Sequence, residues 1–203
     1  MTEQGTAHRW PRYRWPVLGL VVSAMVAAGV VGIRLWQERA DGEAIAGDRV
    51  TTFPAIDTST LDPAQARVVA VLEREFDTPG NGSKYAEGID EAWCADFVSW
   101  VMRESGAPLA NPNSGSWRIP GVYTLQEYYQ GAHRFTPLAA GYRPRTGDVL
   151  LYGPDSPFSQ HTNIVLTAGD GVVTTMGGNE FGDIRIHRFT LTEVPDIVGF
   201  GRL

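Results

Sequence analysis

The segment Glu91-Ala92-Trp93-Cys94-Ala95-Asp96-Phe97-Val98-Ser99-Trp100-Val101 holds the only cysteine of the 203-residue chain, and its pattern decides how the rest is read. The run before it, Asp77 to Gly88 (DTPGNGSKYAEG), is turn chemistry throughout. From Cys94 to Ser105 the residues Phe97, Val98 and Val101 form one helical stripe, and Gly106 and Pro108 stop the helix. Cys94 therefore opens a helix, where unpaired N–H groups and the partial positive charge of the helix end favour the thiolate, the nucleophilic form. A lone cysteine is more often a small buried hydrophobe. In an exported protein, one unpaired thiol at a helix start reverses that preference.

Export is written in the first residues. Val17 to Ile33 carries no charge over 17 positions, and Trp15 to Trp36 covers 22 positions interrupted only by Arg34. At 1.5 Å per residue the longer stretch reaches roughly 33 Å, enough for a hydrocarbon core of about 30 Å. Trp10, Trp15 and Trp36 suit the headgroup zone, and Arg34 can snorkel outward. Arg9, Arg12 and Arg14 stand against Glu3 alone, so the N-terminus faces the cytoplasm. The expectation is a cytoplasmic tail over 1–14, a single transmembrane helix over 15–36 acting as signal anchor in the cell membrane, a linker over 37–60, and an extracytoplasmic domain over 61–203. A cleaved secretory signal is the alternative, since Ala27 and Ala28 suit a peptidase, but the apolar run continues past them.

The net charge of −6 divides accordingly. The first 36 residues carry +3, and the remainder, with 13 Lys and Arg against 22 Asp and Glu, carries −9. An acidic exported part argues against a nucleic-acid partner. An apolar fraction of 43% excludes disorder of the whole chain, and one cysteine excludes an internal disulfide and a multi-cysteine zinc site. No cofactor is indicated.

In the exported part, Thr60 or Asp62 caps a helix with Pro63 in its first turn and Val68, Val69, Leu72 and Phe76 on its buried face. A short helix fits Thr124 to Gln130. Asp148 to Tyr152, Asn163 to Ala168, Gly171 to Met176, Ile184 to Phe189 and Ile197 to Arg202 read as strands. Helices first and strands afterwards, with links too short for parallel crossovers, give an α+β fold with N-terminal helices on an antiparallel sheet.

A thiol nucleophile needs a base within reach. His8 is cytoplasmic, and His133 and His187 read as surface or satisfied core residues. His161, after the polar loop Gly153 to Gln160, stands at the mouth of a strand, rigid yet reachable. Adjacent antiparallel strands bring position 179 near it, so Asn179 in Met176-Gly177-Gly178-Asn179-Glu180 is the candidate to orient the ring, with Glu180 as the alternative. Tyr85, nine residues before the thiol, either lines the site or is an exposed loop tyrosine. Trp93 and Trp100 suit the core, whereas Trp117 in a polar loop suits a groove that stacks on sugars. Glu87, Asp90, Glu91 and Asp96 surround the thiol without the alternating spacing of a calcium loop, so a solvated acidic face is preferred and no metal site is assigned. Asp96 is also placed to cap its helix or brace the loop.

The segment WCADFVSWV, the turn Pro144-Arg145-Thr146-Gly147-Asp148-Val149, His161 heading a strand and Gly177-Gly178-Asn179 together resemble the CHAP family of cysteine- and histidine-dependent amidohydrolases and peptidases, over about residues 64 to 203. The resemblance implies a papain-like α+β fold and cleavage of amide bonds in bacterial peptidoglycan. It assigns Cys94 as nucleophile, His161 as base and Asn179 as orienter of a thioester mechanism. Thr162-Asn163 departs from the apolar residue and glycine usual there, which makes Asn163, with Tyr85 and Trp117, a candidate substrate contact. The expected activity is an extracytoplasmic amidase or endopeptidase acting on a stem or cross-bridge peptide. Its rivals are a non-catalytic wall-binding or scaffold module and a thioester-forming peptidyl or acyl transferase. Control by a partner protein would suit a tethered hydrolase, but no motif identifies one.

Overall fold

The computed structural model describes residues 44–203, so the expected tail, the transmembrane helix over 15–36 and the beginning of the linker lie outside the described residues. Among the described residues no helix is long and apolar enough to cross a membrane. Helix α1 (Pro63–Asp77) begins in a capping box: Asp62 accepts from the N–H groups of Ala64 and Gln65, while the Gln65 side chain accepts from the Asp62 N–H. The single turn α2 (Gly82–Tyr85), capped by Asn81, lies inside the stretch expected to be only turns. Helices α3 (Cys94–Glu104) and α4 (Val122–Gly131) fall where the periodicity places them, and every residue from Cys94 to Met102 in α3 is buried.

Among the described residues, seven antiparallel strands follow the order β1-β6-β5-β4-β3-β7-β2. They are β1 (Asp48–Val50), β2 (Phe135–Pro137), β3 (Val149–Tyr152), β4 (His161–Gly169), β5 (Val172–Glu180), β6 (Asp183–Thr190) and β7 (Ile197–Gly201). The helices cover one face, where Leu72, Phe97 and Val101 meet Leu151, Ile164 and Met176. Leu150, Val165, Val173, Phe189 and Phe200 make a second cluster. Removing each such large side chain from water contributes about 1.5–3 kcal/mol.

Two boundaries need correction. The stretch over 37–60 is not a linker throughout, because β1 pairs with β6, and Phe53 and Ile56 pack against the helical core. Residues 44–203 thus make one compact unit that starts well before 61. Strands β1 and β2 are each three residues long, too short for a periodic signal, and both cover what would otherwise be open sheet edges. Strand β4 starts at His161 and β5 runs through Gly177 and Gly178 to Glu180, beyond the ends expected from glycine content.

Candidate active site

Cys94 is the first residue of α3, and the helix begins without a side-chain cap at Trp93. The first backbone bond at this end runs from the Phe97 N–H to the Trp93 carbonyl, so the N–H groups of Cys94, Ala95 and Asp96 precede the intrahelical ladder. Leaving out a polar cap typically costs about 1 kcal/mol. Here it leaves donors beside a thiol.

His161, at the head of β4, is 6% exposed and interacts with Cys94, which raises the basicity of the ring. Its Nε2 lies 3.2 Å from Glu180 Oε1, which leaves Nδ1 for the thiol. Burial works to lower the basicity of the ring, but the bonds and charges of Cys94 and Glu180 outweigh it and raise the His161 pKa to about 9. Glu180 is 1% exposed. Burial disfavours its charge, yet hydrogen bonds and attraction from His161 and His187 hold its pKa below the usual carboxylate value. Phe158 stacks on the His161 ring at 5.6 Å and covers it from water.

The orienting group beside the ring is Glu180, the alternative of the two sequence candidates, and among the described residues Asn179 makes no hydrogen bond to His161. Strand register explains the correction. Ile164 pairs with Met176, so uninterrupted alternation would set position 179 opposite His161. The β5–β6 register shifts between Gly177 and Glu180, and Asn179 takes a left-handed φ of 62°. One extra residue in the strand turns Glu180 toward the side of His161. The preceding glycines permit close approach on each face. A Cβ at Gly177 would come within 3.0 Å of Asn163 Oδ1 and Glu180 Oε1, and one at Gly178 would collide with Trp93 and Phe97.

Two of the three candidate substrate contacts are also corrected. Tyr85 is wholly buried: its hydroxyl donates to Glu75 Oε2 at 2.8 Å and accepts from the Gly80 N–H, and its ring stacks on Trp93 at 5.2 Å. Asn163 points from β4 into the interior, where Nδ2 donates to Thr175 Oγ1 at 3.2 Å and to the Tyr152 hydroxyl at 3.4 Å. It therefore neither crowds a cleft nor reaches a substrate. Trp117 is half-buried, packed against the helical core with the Arg103 guanidinium 4.0 Å over its ring.

Of the acidic residues near the thiol, Asp96 braces the loop: its Oδ1 lies 2.8 Å from Arg118 Nε, and Arg118 also pairs with Glu91. Burial, then the charge of Glu87, pushes the Asp96 carboxyl up to about 7. Glu87 and Asp90 are exposed. Among the described residues, no three His, Cys, Asp or Glu side chains are grouped to hold a metal ion. The Ser99 hydroxyl, which accepts from the Ile119 N–H at 3.1 Å, ties the same loop to α3. The role of Phe158 escaped the sequence because local pattern does not record which rings a loop aromatic meets in the fold.

No curated protein and no solved structure matches the chain. Residues 84–179 match the CHAP domain family, a span that contains Cys94, His161 and Asn179 and stops one residue before Glu180. CHAP domains are typically cysteine- and histidine-dependent amidohydrolases, and the match associates this stretch with amidase or peptidase activity on peptidoglycan.

Proposed function

We propose that the chain is a membrane-anchored, extracytoplasmic cysteine amidase or endopeptidase of peptidoglycan peptides, with Cys94 as nucleophile, His161 as base and Glu180 as orienter. The observation that carries it is the contact series Cys94 to His161 to Glu180 starting from an uncapped helix end. Cys94 Sγ attacks the carbonyl carbon of the scissile amide, and charge collects on the carbonyl oxygen. The Cys94 N–H is a fitting donor for that oxygen, and losing one such donor typically costs about 10² to 10³ in rate. The His161 imidazolium then gives its proton to the leaving amine, and the C–N bond breaks to leave a thioester on Cys94. His161, now neutral, takes a proton from water as that water attacks the thioester, and the carboxylate product departs as the thiolate reforms.

The test incubates the full-length protein in detergent with purified peptidoglycan and identifies new amino and carboxyl ends by mass spectrometry. Wild type is expected to release peptide fragments that Cys94→Ala does not. Equal release by both overturns the nucleophile, and no release by wild type overturns the activity. Membrane placement is proposed from Val17–Ile33 and its arginine flank. A reporter active only outside the membrane, fused after residue 45, is expected to be active, and activity solely of a cytoplasmic reporter overturns the orientation.

A further inference from the structure

The Glu180 carboxylate faces two imidazoles, and the mechanism uses one of them. The other belongs to His187, fully buried on β6, with its Nδ1 3.0 Å from Glu180 Oε2. The contact departs from a straight hydrogen bond, and neither atom has another hydrogen-bond partner among the described residues. Each is therefore the other's means of compensating burial.

The opposite ring nitrogen fixes the proton's position. The Ile45 N–H donates to His187 Nε2 at 3.2 Å. A nitrogen that accepts a hydrogen bond carries no proton, so the ring proton sits on Nδ1, facing Glu180. The ring itself is held: β1 pairs Arg49 with His187, and Phe158 meets His187 edge-on at 5.3 Å while stacking on His161. One phenyl ring thus screens both imidazoles from water.

We infer that His187 is a positioning residue of the proposed amidase: its Nδ1–H, set by the Ile45 N–H, holds the second oxygen of Glu180 so that the first is presented to His161. The inference rests on the assignment of Cys94 and His161 given above. A buried carboxylate held by one partner can rotate about its last side-chain bond, and a second donor removes that freedom. The same donor satisfies the anion, so Glu180 competes less for the proton that His161 must deliver. The titratable groups facing this pair are His161 on β4 with Cys94 beyond it, and Tyr152 on β3, whose hydroxyl burial keeps neutral. Arg185, two positions earlier on β6, is the buried cation on that side by strand alternation, and β1 offers His187 its backbone.

The experiment compares full-length wild type with His187→Leu, which keeps volume and removes the donor, and His187→Asn, which keeps an N–H near the Nδ1 position. The readouts are kcat and KM on peptidoglycan, and the titration midpoint of the His161 ring by NMR, assigned with a His161 variant. His187→Leu is expected to lower kcat about 10-fold, part of the 10²- to 10⁴-fold that a placed base contributes, with little change in KM. Its His161 midpoint is expected to fall below that of wild type, and His187→Asn is expected to restore both. Should His187→Leu not fold, Ile45→Pro removes the N–H that sets the ring and is expected to move the midpoint in the same direction. Wild-type kcat and midpoint in His187→Leu, or a wild-type midpoint in Ile45→Pro, overturns the inference. A wild type that cuts no peptidoglycan overturns the activity instead, and the NMR titration still decides whether His187 acts on His161.

Discussion

The Glu180 carboxylate stands 3.2 Å from His161 Nε2 because one intervening residue, Asn179, leaves the strand conformation at φ 62°. Had β5 continued without that step, position 179 would face the histidine. The candidate site therefore depends on a backbone irregularity as much as on side chains.

Asn179→Gly keeps the left-handed conformation and is expected to retain activity within about 3-fold and stability within about 0.5 kcal/mol. Glu180→Gln removes the charge beside the imidazolium and is expected to reduce kcat about 100-fold. Steady-state kinetics on the two variants check the assignment, and the reverse ordering would return the orienting role to Asn179.

The pH dependence follows from the direction of each shift. His161 is raised from 6.5 to about 9, so its charged partnership contributes stability fully below pH 6.5 and loses it as pH rises through about 9. Glu180 is shifted downward from 4.5, so its contribution is present above pH 4.5 and is lost as pH falls through its folded value. Activity is expected to decline on the alkaline side near pH 9, and Glu180→Gln moves that limb to lower pH. A pH–rate profile of both proteins measures it.

Gly177→Ala is expected to lose activity and about 1–3 kcal/mol of stability, because its methyl group would collide with Asn163 and Glu180. Gly171→Ala, at a turn with open space but φ 79°, is expected to cost about 1 kcal/mol and leave kcat unchanged. Urea unfolding with parallel assays separates packing near the carboxylate from backbone strain alone.

Arg118→Ala leaves Asp96 buried without its cation and is expected to destabilise the fold by about 3–5 kcal/mol at pH 8. Since burial raises the Asp96 carboxyl to about 7 from 3.8, the folded state retains a proton that the unfolded chain gives up, so stability falls as pH rises between those values. The loss is accordingly smaller at pH 5, which melting temperatures at the two pH values would reveal.

Tyr85→Phe removes the hydroxyl shared by Glu75 and Gly80 and is expected to cost about 1–3 kcal/mol with kcat/KM unchanged per folded molecule. A lowered kcat/KM at constant folded fraction would restore a role for Tyr85 at the substrate.

Sequence by itself determined the features that local patterns write down. The 3.6-residue stripe Phe97, Val98 and Val101 places Cys94 at a helix start, and helices followed by closely spaced short strands require an antiparallel α+β arrangement. His161 was legible because it heads an apolar strand after a polar loop. Only the tertiary structure decided between Asn179 and Glu180, since one bulged residue exchanges the faces of a strand while leaving its composition unchanged. It also decided that Tyr85 and Asn163 lie inside, and that His187 meets Glu180 and a backbone N–H 142 positions away at Ile45. Local periodicity records which way a helix or strand faces. A partner brought from a distant segment by sheet pairing leaves no trace in that record, and here such partners set the state of the catalytic candidates.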